Sequence, residues 1–254
     1  MINNHLIMYN DCKGDIVMKF EIFGGSFPAA EVTLNQGEQV VTQSGAMAWG
    51  DNDIQMETNM QGGFLKSVGR MFSGASLMFV THTAQRDNSK ITFSSAFPGT
   101  IKEFKVDDNH EYFAQKSAFL VADPTVNVDA SVNKNFWAGL FGGEGFILQK
   151  FTGNGNLLAE IDGSIKEIEL KEGESIKVET GHVAIFESTV KYEVQTVKGF
   201  KNIFFGGEGL FLATLTGPGK VWLQSLTAHD MAQKLIPYLP TGSSTTIKTS
   251  SNND

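Results

Sequence analysis

Apolar and polar residues alternate with a period of two over short stretches of this chain, the pattern of strands that bury one face. The alternation itself recurs. Three 28-residue windows, Glu31–Thr58, Glu103–Ala130 and Glu167–Val194, align without gaps. Each opens on Glu, and the apolar positions that follow are Val32 and Leu34, Phe104 and Val106, Ile168 and Leu170. A polar turn comes next: Asn35-Gln36-Gly37, Asp107-Asp108-Asn109, Lys171-Glu172-Gly173. Its last residue is Gly, Asn or Gly, the types that accept a positive φ at least cost, which predicts the same bend in all three windows. Val40, Tyr112 and Ile176 mark a second strand. A third element places Met47, Phe119 and Val183 in register, then Ile54, Val126 and Val190, and Glu57, Asp129 and Glu193 close the windows.

A second motif lies between the windows: Phe72-Ser73-Gly74-Ala75-Ser76-Leu77, Phe141-Gly142-Gly143-Glu144-Gly145-Phe146 and Phe205-Gly206-Gly207-Glu208-Gly209-Leu210. Each precedes an apolar strand and an expected hairpin, with matching turns at Thr152-Gly153-Asn154-Gly155 and Thr216-Gly217-Pro218-Gly219 and a longer polar loop, Gln85–Lys90, in the first copy. The expected architecture is a single all-β domain over residues 18–240, a β-sandwich or barrel with pseudo-threefold internal repeats. In this frame the units are 64–131, 136–198, and 200–226 completed by 27–58, so the chain ends meet. Thr227–Tyr238 reads as a short helix with Thr227 and Asp230 at capping-box spacing, stopped by Pro237 and Pro240. Residues 241–254, rich in Ser, Thr and Asn, read as a disordered tail. Residues 1–17 lie outside the repeat and read as an extension ahead of Met18, the expected initiator; the alternative is a genuine edge strand.

Composition narrows the function. The net charge is −8, which disfavours a nucleic-acid partner because phosphate neutralisation supplies much of such affinity. The single cysteine, Cys12, rules out an internal disulfide and fits a cytoplasmic location, peripheral to a membrane if the apolar segments described below contact lipid. There is no signal-peptide pattern, and no apolar run long enough for a transmembrane helix.

Candidate chemistry is sparse. The Gly-rich segments precede strands rather than helices, so they lack the helix N-terminus that holds a phosphate, and turn roles are expected for them. His5, His82, His110, His182 and His229 show no ligand spacing, and His182 stands where the other windows have Ala46 and Ala118. The acidic runs Asp107–Glu111 and Asp51-Asn52-Asp53 read as solvated turns rather than calcium loops. No cofactor, metal or catalytic residue is expected, although carboxylates distant in sequence can converge in a β fold.

The segments with most functional interest precede the Gly-rich motifs. They are Phe64-Leu65-Lys66-Ser67-Val68, Phe136-Trp137-Ala138-Gly139-Leu140-Phe141 and Phe200-Lys201-Asn202-Ile203-Phe204-Phe205. Loops are ordinarily polar, and three apolar loops at one end would form a contact face for a homo-oligomer, a protein partner or a membrane surface. The alternative is that they fold inward and plug the end of the barrel. The candidate contacts are therefore Phe64, Leu65, Phe136, Trp137, Leu140, Phe141, Ile203, Phe204 and Phe205. The accompanying glycine motif is Gly74, Gly142, Gly143, Glu144, Gly145, Gly206, Gly207, Glu208 and Gly209. The leading functional expectation is a non-enzymatic interaction or scaffold module; a small-ligand-binding barrel and an enzyme with converging carboxylates are the alternatives.

Met18-Lys19-Phe20-Glu21-Ile22, the stretch from Glu38 through Ala46-Met47-Ala48, and the Gly-Glu-Gly segments in Phe136–Gly145 and Phe204–Gly209 resemble the AIM24 family, long labelled DUF124. The resemblance covers about residues 18–240. It implies a TRAP-like fold, a double-stranded β-helix in pseudo-threefold arrangement, and supplies no catalytic residue. It also implies a connection with membranes, since the family includes a mitochondrial protein of inner-membrane organisation. Ser73-Gly74-Ala75-Ser76 departs from the Gly-Glu-Gly pattern in the first copy.

Overall fold

The computed structural model describes residues 18–59, 79–131, 148–196 and 211–239. These form antiparallel strands followed by one short helix, and the strands fall into three consecutive units of six. Unit one comprises β2 (Ala29–Leu34), β3 (Gln39–Gln43), β4 (Met47–Gly50), β5 (Ile54–Asn59), β6 (Phe79–Ala84) and β7 (Ser89–Ser94), with β1 (Lys19–Phe23) added beside β2. Unit two comprises β8 (Gly99–Val106), β9 (Tyr112–Gln115), β10 (Phe119–Ala122), β11 (Val126–Ser131), β12 (Leu148–Gly153) and β13 (Gly155–Asp162). Unit three comprises β14 (Ile165–Leu170), β15 (Ser175–Glu179), β16 (Val183–Glu187), β17 (Lys191–Thr196), β18 (Phe211–Thr216) and β19 (Gly219–Gln224).

Every unit uses the same pairings. The sixth strand lies between the first and third, and the fifth lies between the second and fourth. Each unit is thus two three-stranded layers with an apolar core between them, built by inward residues such as Val32, Val40, Ile91 and Phe93 in unit one. Alternating side chains supply that inner face, as the period-two pattern requires.

Two ladders join the units. β3 of unit one pairs with β10 of unit two, and β9 of unit two pairs with β16 of unit three. At each ladder one layer from each of two units thereby merges into a six-stranded sheet, β5-β6-β3-β10-β13-β8 and β11-β12-β9-β16-β19-β14 respectively. The two remaining layers stay separate as β1-β2-β7-β4 and β15-β18-β17. The outer face of each following unit also packs into the core before it. Ile101, Leu120, Val121 and Leu158 of unit two enter the first core, and Ala184, Ile185, Trp222 and Ile165 of unit three enter the second.

The ladders set the phase of the repeat, and this corrects the frame drawn from the alignment. Each window pairs with the two strands that follow it, so the units run over 29–94, 99–162 and 165–224. The third unit is complete without residues 27–58, which pair instead with β1, β6, β7 and β10. Among the described residues no ladder joins β18 or β19 to β2–β5. Aligned windows cannot reveal where a copy begins, because a half-period shift aligns equally well.

The expected hairpins are corners. β12 and β13 lie in different sheets, as do β18 and β19 and likewise β6 and β7, so each turn carries the chain from one layer to the other. The corner is tight: a Cβ on Gly153, whose φ is +102°, would lie 2.3 Å from the Thr125 carbonyl oxygen. At the equivalent Gly217 a Cβ would lie 2.5 Å from the carbonyl oxygens of Leu170 and Lys171. The polar turn inside each window also differs from expectation in one copy. Gly37 and Gly173 have φ of +83° and +76°, whereas Asn109 is not in the positive region. In that copy the Asp107 carboxylate accepts the Asn109 N–H at 2.8 Å, which closes the turn by a side-chain route.

Helix α1 (Ala228–Leu235) starts as its sequence predicts. Thr227 Oγ1 accepts the Asp230 N–H at 2.9 Å, and its hydroxyl donates to Asp230 Oδ2 at 2.8 Å. A 3₁₀ turn, Ile236–Tyr238, follows.

Replacing Gly153 by Ala forces a side chain into the Thr125 carbonyl at a positive φ, and a loss of at least about 1 kcal/mol is expected in urea unfolding. An unchanged midpoint would show that the corner relaxes freely.

Candidate functional site

The Phe-rich contact candidates (Phe64, Leu65, Phe136, Trp137, Leu140, Phe141, Ile203, Phe204 and Phe205) and the Gly-rich motif residues at 74, 142–145 and 206–209 all lie outside the described residues. So do Cys12, His5 and residues 1–17 and 241–254. The site has to be sought in what the ladders place together.

Equivalent positions carry a carboxylate at the end of the third strand of each unit: Asp51, Asp123 and Glu187. Each accepts a backbone N–H from the sixth strand, from Lys90 at 2.8 Å, Asn156 at 2.7 Å and Lys220 at 2.8 Å. These carboxylates finish ladders. Burial pushes the Asp123 carboxyl up to about 6, opposed by N–H groups of Asn156 and Met18. Burial also raises Glu103, Glu160 and Asp162. Glu160 is engaged structurally: it accepts from Ser95 Oγ at 2.7 Å and from the Ala96 N–H at 2.9 Å. The alignment compared apolar positions and passed over Asp51, Asp123 and Glu187, although their shared acidic character was visible.

The acidic turns bind themselves. Arg86 and then Ser89 hold Asp53 down to about 2, and Asp107 is lowered by the Asn109 N–H and by His110. Glu111 pairs with Lys150 at 2.8 Å. No three His, Cys, Asp or Glu side chains gather into a metal-holding group among the described residues.

The histidines differ. His82 is 1% exposed, standing in the first core where Phe151 and Leu215 stand in the other two. Its Nε2 is 3.1 Å from Thr42 Oγ1, its ring meets Phe93 edge-on at 5.5 Å, and burial brings it down to about 4. His182 donates from Nδ1 to the Gln224 carbonyl at 2.8 Å, with Nε2 3.4 Å from Glu179 and 3.8 Å from Asp230, so it ties the start of α1 to unit three.

An open cavity of about 590 Å³ runs along the loops that precede β2, β8 and β14. It is lined by Gly25, Ser26, Pro98, Gly99, Thr100, Gly163, Ser164 and Ile165, and no titratable side chain lines it.

Among the described residues, the exposed large apolar side chains other than Met56 of β5 lie in two regions. One is the outer face of unit one, where Trp49 is 55% exposed and Phe23 41%; Phe27, 68% exposed, lies in the loop between β1 and β2. Trp49 sits opposite Thr92 in the ladder and 6.4 Å from the Phe23 ring. The other is the end of the chain's described part, where Leu235, Ile236, Tyr238 and Leu239 are exposed and α1 buries none of its residues. No helix among the described residues is long and apolar enough to cross a membrane.

The fold and surface define an all-β protein of repeated sandwich units with a short C-terminal helix. The chain belongs to the AIM24 family, described as mitochondrial biogenesis AIM24, whose pattern matches residues 20–226. An uncharacterized protein of Streptococcus pyogenes serotype M6 is 32% identical over 225 residues, spanning 85% of this chain and 89% of that protein. The crystal structure of a protein from Streptococcus pyogenes is similar in fold, with a TM-score of 0.71 and 27% identity over 87% of this chain and 100% of that one.

His82 links folding to pH. Its folded pKa lies below the ordinary 6.5, at about 4, so between those values the unfolded chain binds the extra proton and stability falls as pH falls. Asp123, whose pKa is raised, has the opposite sign. The difference between wild type and His82→Leu therefore isolates the histidine: the variant is expected to gain up to about 3 kcal/mol relative to wild type on going from pH 7 to pH 4. Denaturant melts at both pH values measure it, and a pH-independent difference would rule out a neutral buried imidazole.

Proposed function

We propose that the chain is a non-enzymatic interaction module whose contact surface is the outer face of unit one. The observation that carries this reading is the exposed aromatic pair of Phe23 and Trp49 on a sheet whose last strand, β4, has no strand on its outer edge among the described residues; Phe27 is exposed in the adjoining β1–β2 loop. Aromatic anchors beside unpaired backbone groups suit a partner that adds a strand and covers the rings. The equivalent faces of units two and three are covered by the unit before them, so a covered state is the ordinary condition of this surface.

The Phe- and Trp-rich segments around Phe64, Trp137 and Phe204 belong to the same reading on sequence grounds, as a second apolar contact face for a partner or a membrane. The membrane part of this reading rests on them alone. Flotation with anionic liposomes is expected to carry the wild type upward and to leave the Trp137→Ser, Phe204→Ser variant behind. Absence of flotation in the wild type removes the membrane role and leaves the unit-one surface untouched.

A photo-crosslinking residue placed at position 27 or 49 in cells tests the main reading. Covalent adducts are expected from both positions and not from the exposed control Glu169. Adducts from neither position would refute it.

A further inference from the structure

The two joints between units follow one rule. In the first, Val121 of β10 lies opposite Thr42 of β3, and Ala122 opposite Val41. In the second, Ile185 of β16 lies opposite Ala114 of β9, and Phe186 opposite Phe113. Carried forward by the spacing of the repeat, both joints prescribe the same third pairing. It joins β15 of unit three to β4 of unit one, with Trp49 opposite Val178 and Gly50 opposite Lys177. Yet among the described residues β4 and β15 are edge strands of separate sheets.

Both strands show what is missing. β10 is buried throughout and β16 through its first four residues, whereas Ala48, Trp49 and Gly50 of β4 are exposed. The outer-face residues that enter a neighbouring core from units two and three correspond in unit one to Ala29, Ala48, Trp49 and Thr92, of which Ala48 and Trp49 are exposed while Ala29 and Thr92 are buried within their own sheet. On the other side, Ile176 and Val178 of β15 are only partly buried against the third core, where their counterparts Tyr112 and Ala114 are buried.

We propose that β4 of one copy pairs with β15 of a second copy of this chain, in the register of the two internal joints, so that copies associate head to tail. This rests on the interaction-module reading and names its partner. The surface at β4 fits a strand that pairs antiparallel, keeps its other edge on a fifth strand and offers a small apolar residue opposite Trp49. β15 meets each condition, with Val178 at the apolar position and β18 on its other edge. Because the two contact strands differ, the interface is heterologous and leaves one free β4 and one free β15 until a ring closes or a filament extends. Lys177 and Gly50 replace the stacked Phe113–Phe186 pair of the second joint, whose rings lie 5.4 Å apart. The contact is accordingly weaker than the internal joints and depends on concentration.

The test uses the full chain. Analytical ultracentrifugation across a wide concentration range is expected to show rising mass for the wild type. Trp49→Arg blocks β4, and Lys177→Glu sets a carboxylate near Asp51 and blocks β15; each variant alone is expected to stay monomeric with unchanged circular dichroism. Mixed, they keep one good β4 and one good β15, so a complex of two chains and nothing larger should form. Lys177 is exposed, so its variant folds even where the tryptophan change does not. For register, Trp49→Cys and Val178→Cys on separate chains lacking Cys12 should form a disulfide between chains. A wild type monomeric at every concentration, a mixture that does not pair, or a chain with both cysteines that oxidises within itself overturns the proposal. Cross-links from positions 27 and 49 to other proteins only would sink self-pairing and leave the module reading standing.

Discussion

Strands β10 and β16 are hydrogen-bonded along both edges, and almost every residue in them is buried. The three units are held together through them. Each needs its own sixth strand on one side and the preceding unit's second strand on the other. Their outward side chains, Leu120 and Val121 in β10 and Ala184 and Ile185 in β16, are core residues of the neighbour. A strand in that position can only be apolar on both faces, which is why Phe119-Leu120-Val121-Ala122 and Val183-Ala184-Ile185-Phe186 read as continuous apolar runs rather than alternating ones.

The same constraint explains how polar groups are spent. Where β4, β10 and β16 end, a carboxylate stands ready for the N–H of the adjacent sixth strand, because a ladder that stops inside a sandwich would otherwise strand a donor. Burying Asp123 costs free energy, and the two N–H groups directed at it offset part of that cost. The first unit departs from the others in its core, where His82 and Thr42 occupy positions filled by Phe151 with Ala114 and by Leu215 with Val178.

Much of this was legible in the residues. Gap-free windows located the first two strands of each copy, because one-sided burial imposes period two, while the third expected element divides into two strands in every unit. The N-cap at Thr227 was legible too, because residues three apart decide it. Phase was not, since it depends on which strands pair across some forty positions, as Val40 does with His82. Nor could corners be told from hairpins: Thr152–Gly155 has the glycines either requires, and only the sheet assignment of β12 and β13 separates them. The exposed aromatics were hidden among twenty phenylalanines, since Trp49 occupies a position that is buried in the other two copies.

The sharing of cores between neighbours bears on how the chain is made. During synthesis the first unit can form its ladders once residue 94 has emerged, but its core lacks Ile101, Leu120, Val121 and Leu158 until most of unit two has followed. Each unit thus remains unfinished, with apolar surface open to solvent, until its successor arrives. Nascent unit one is the stretch most in need of shielding on the ribosome, and a chain cut between units would carry that exposure for its whole lifetime.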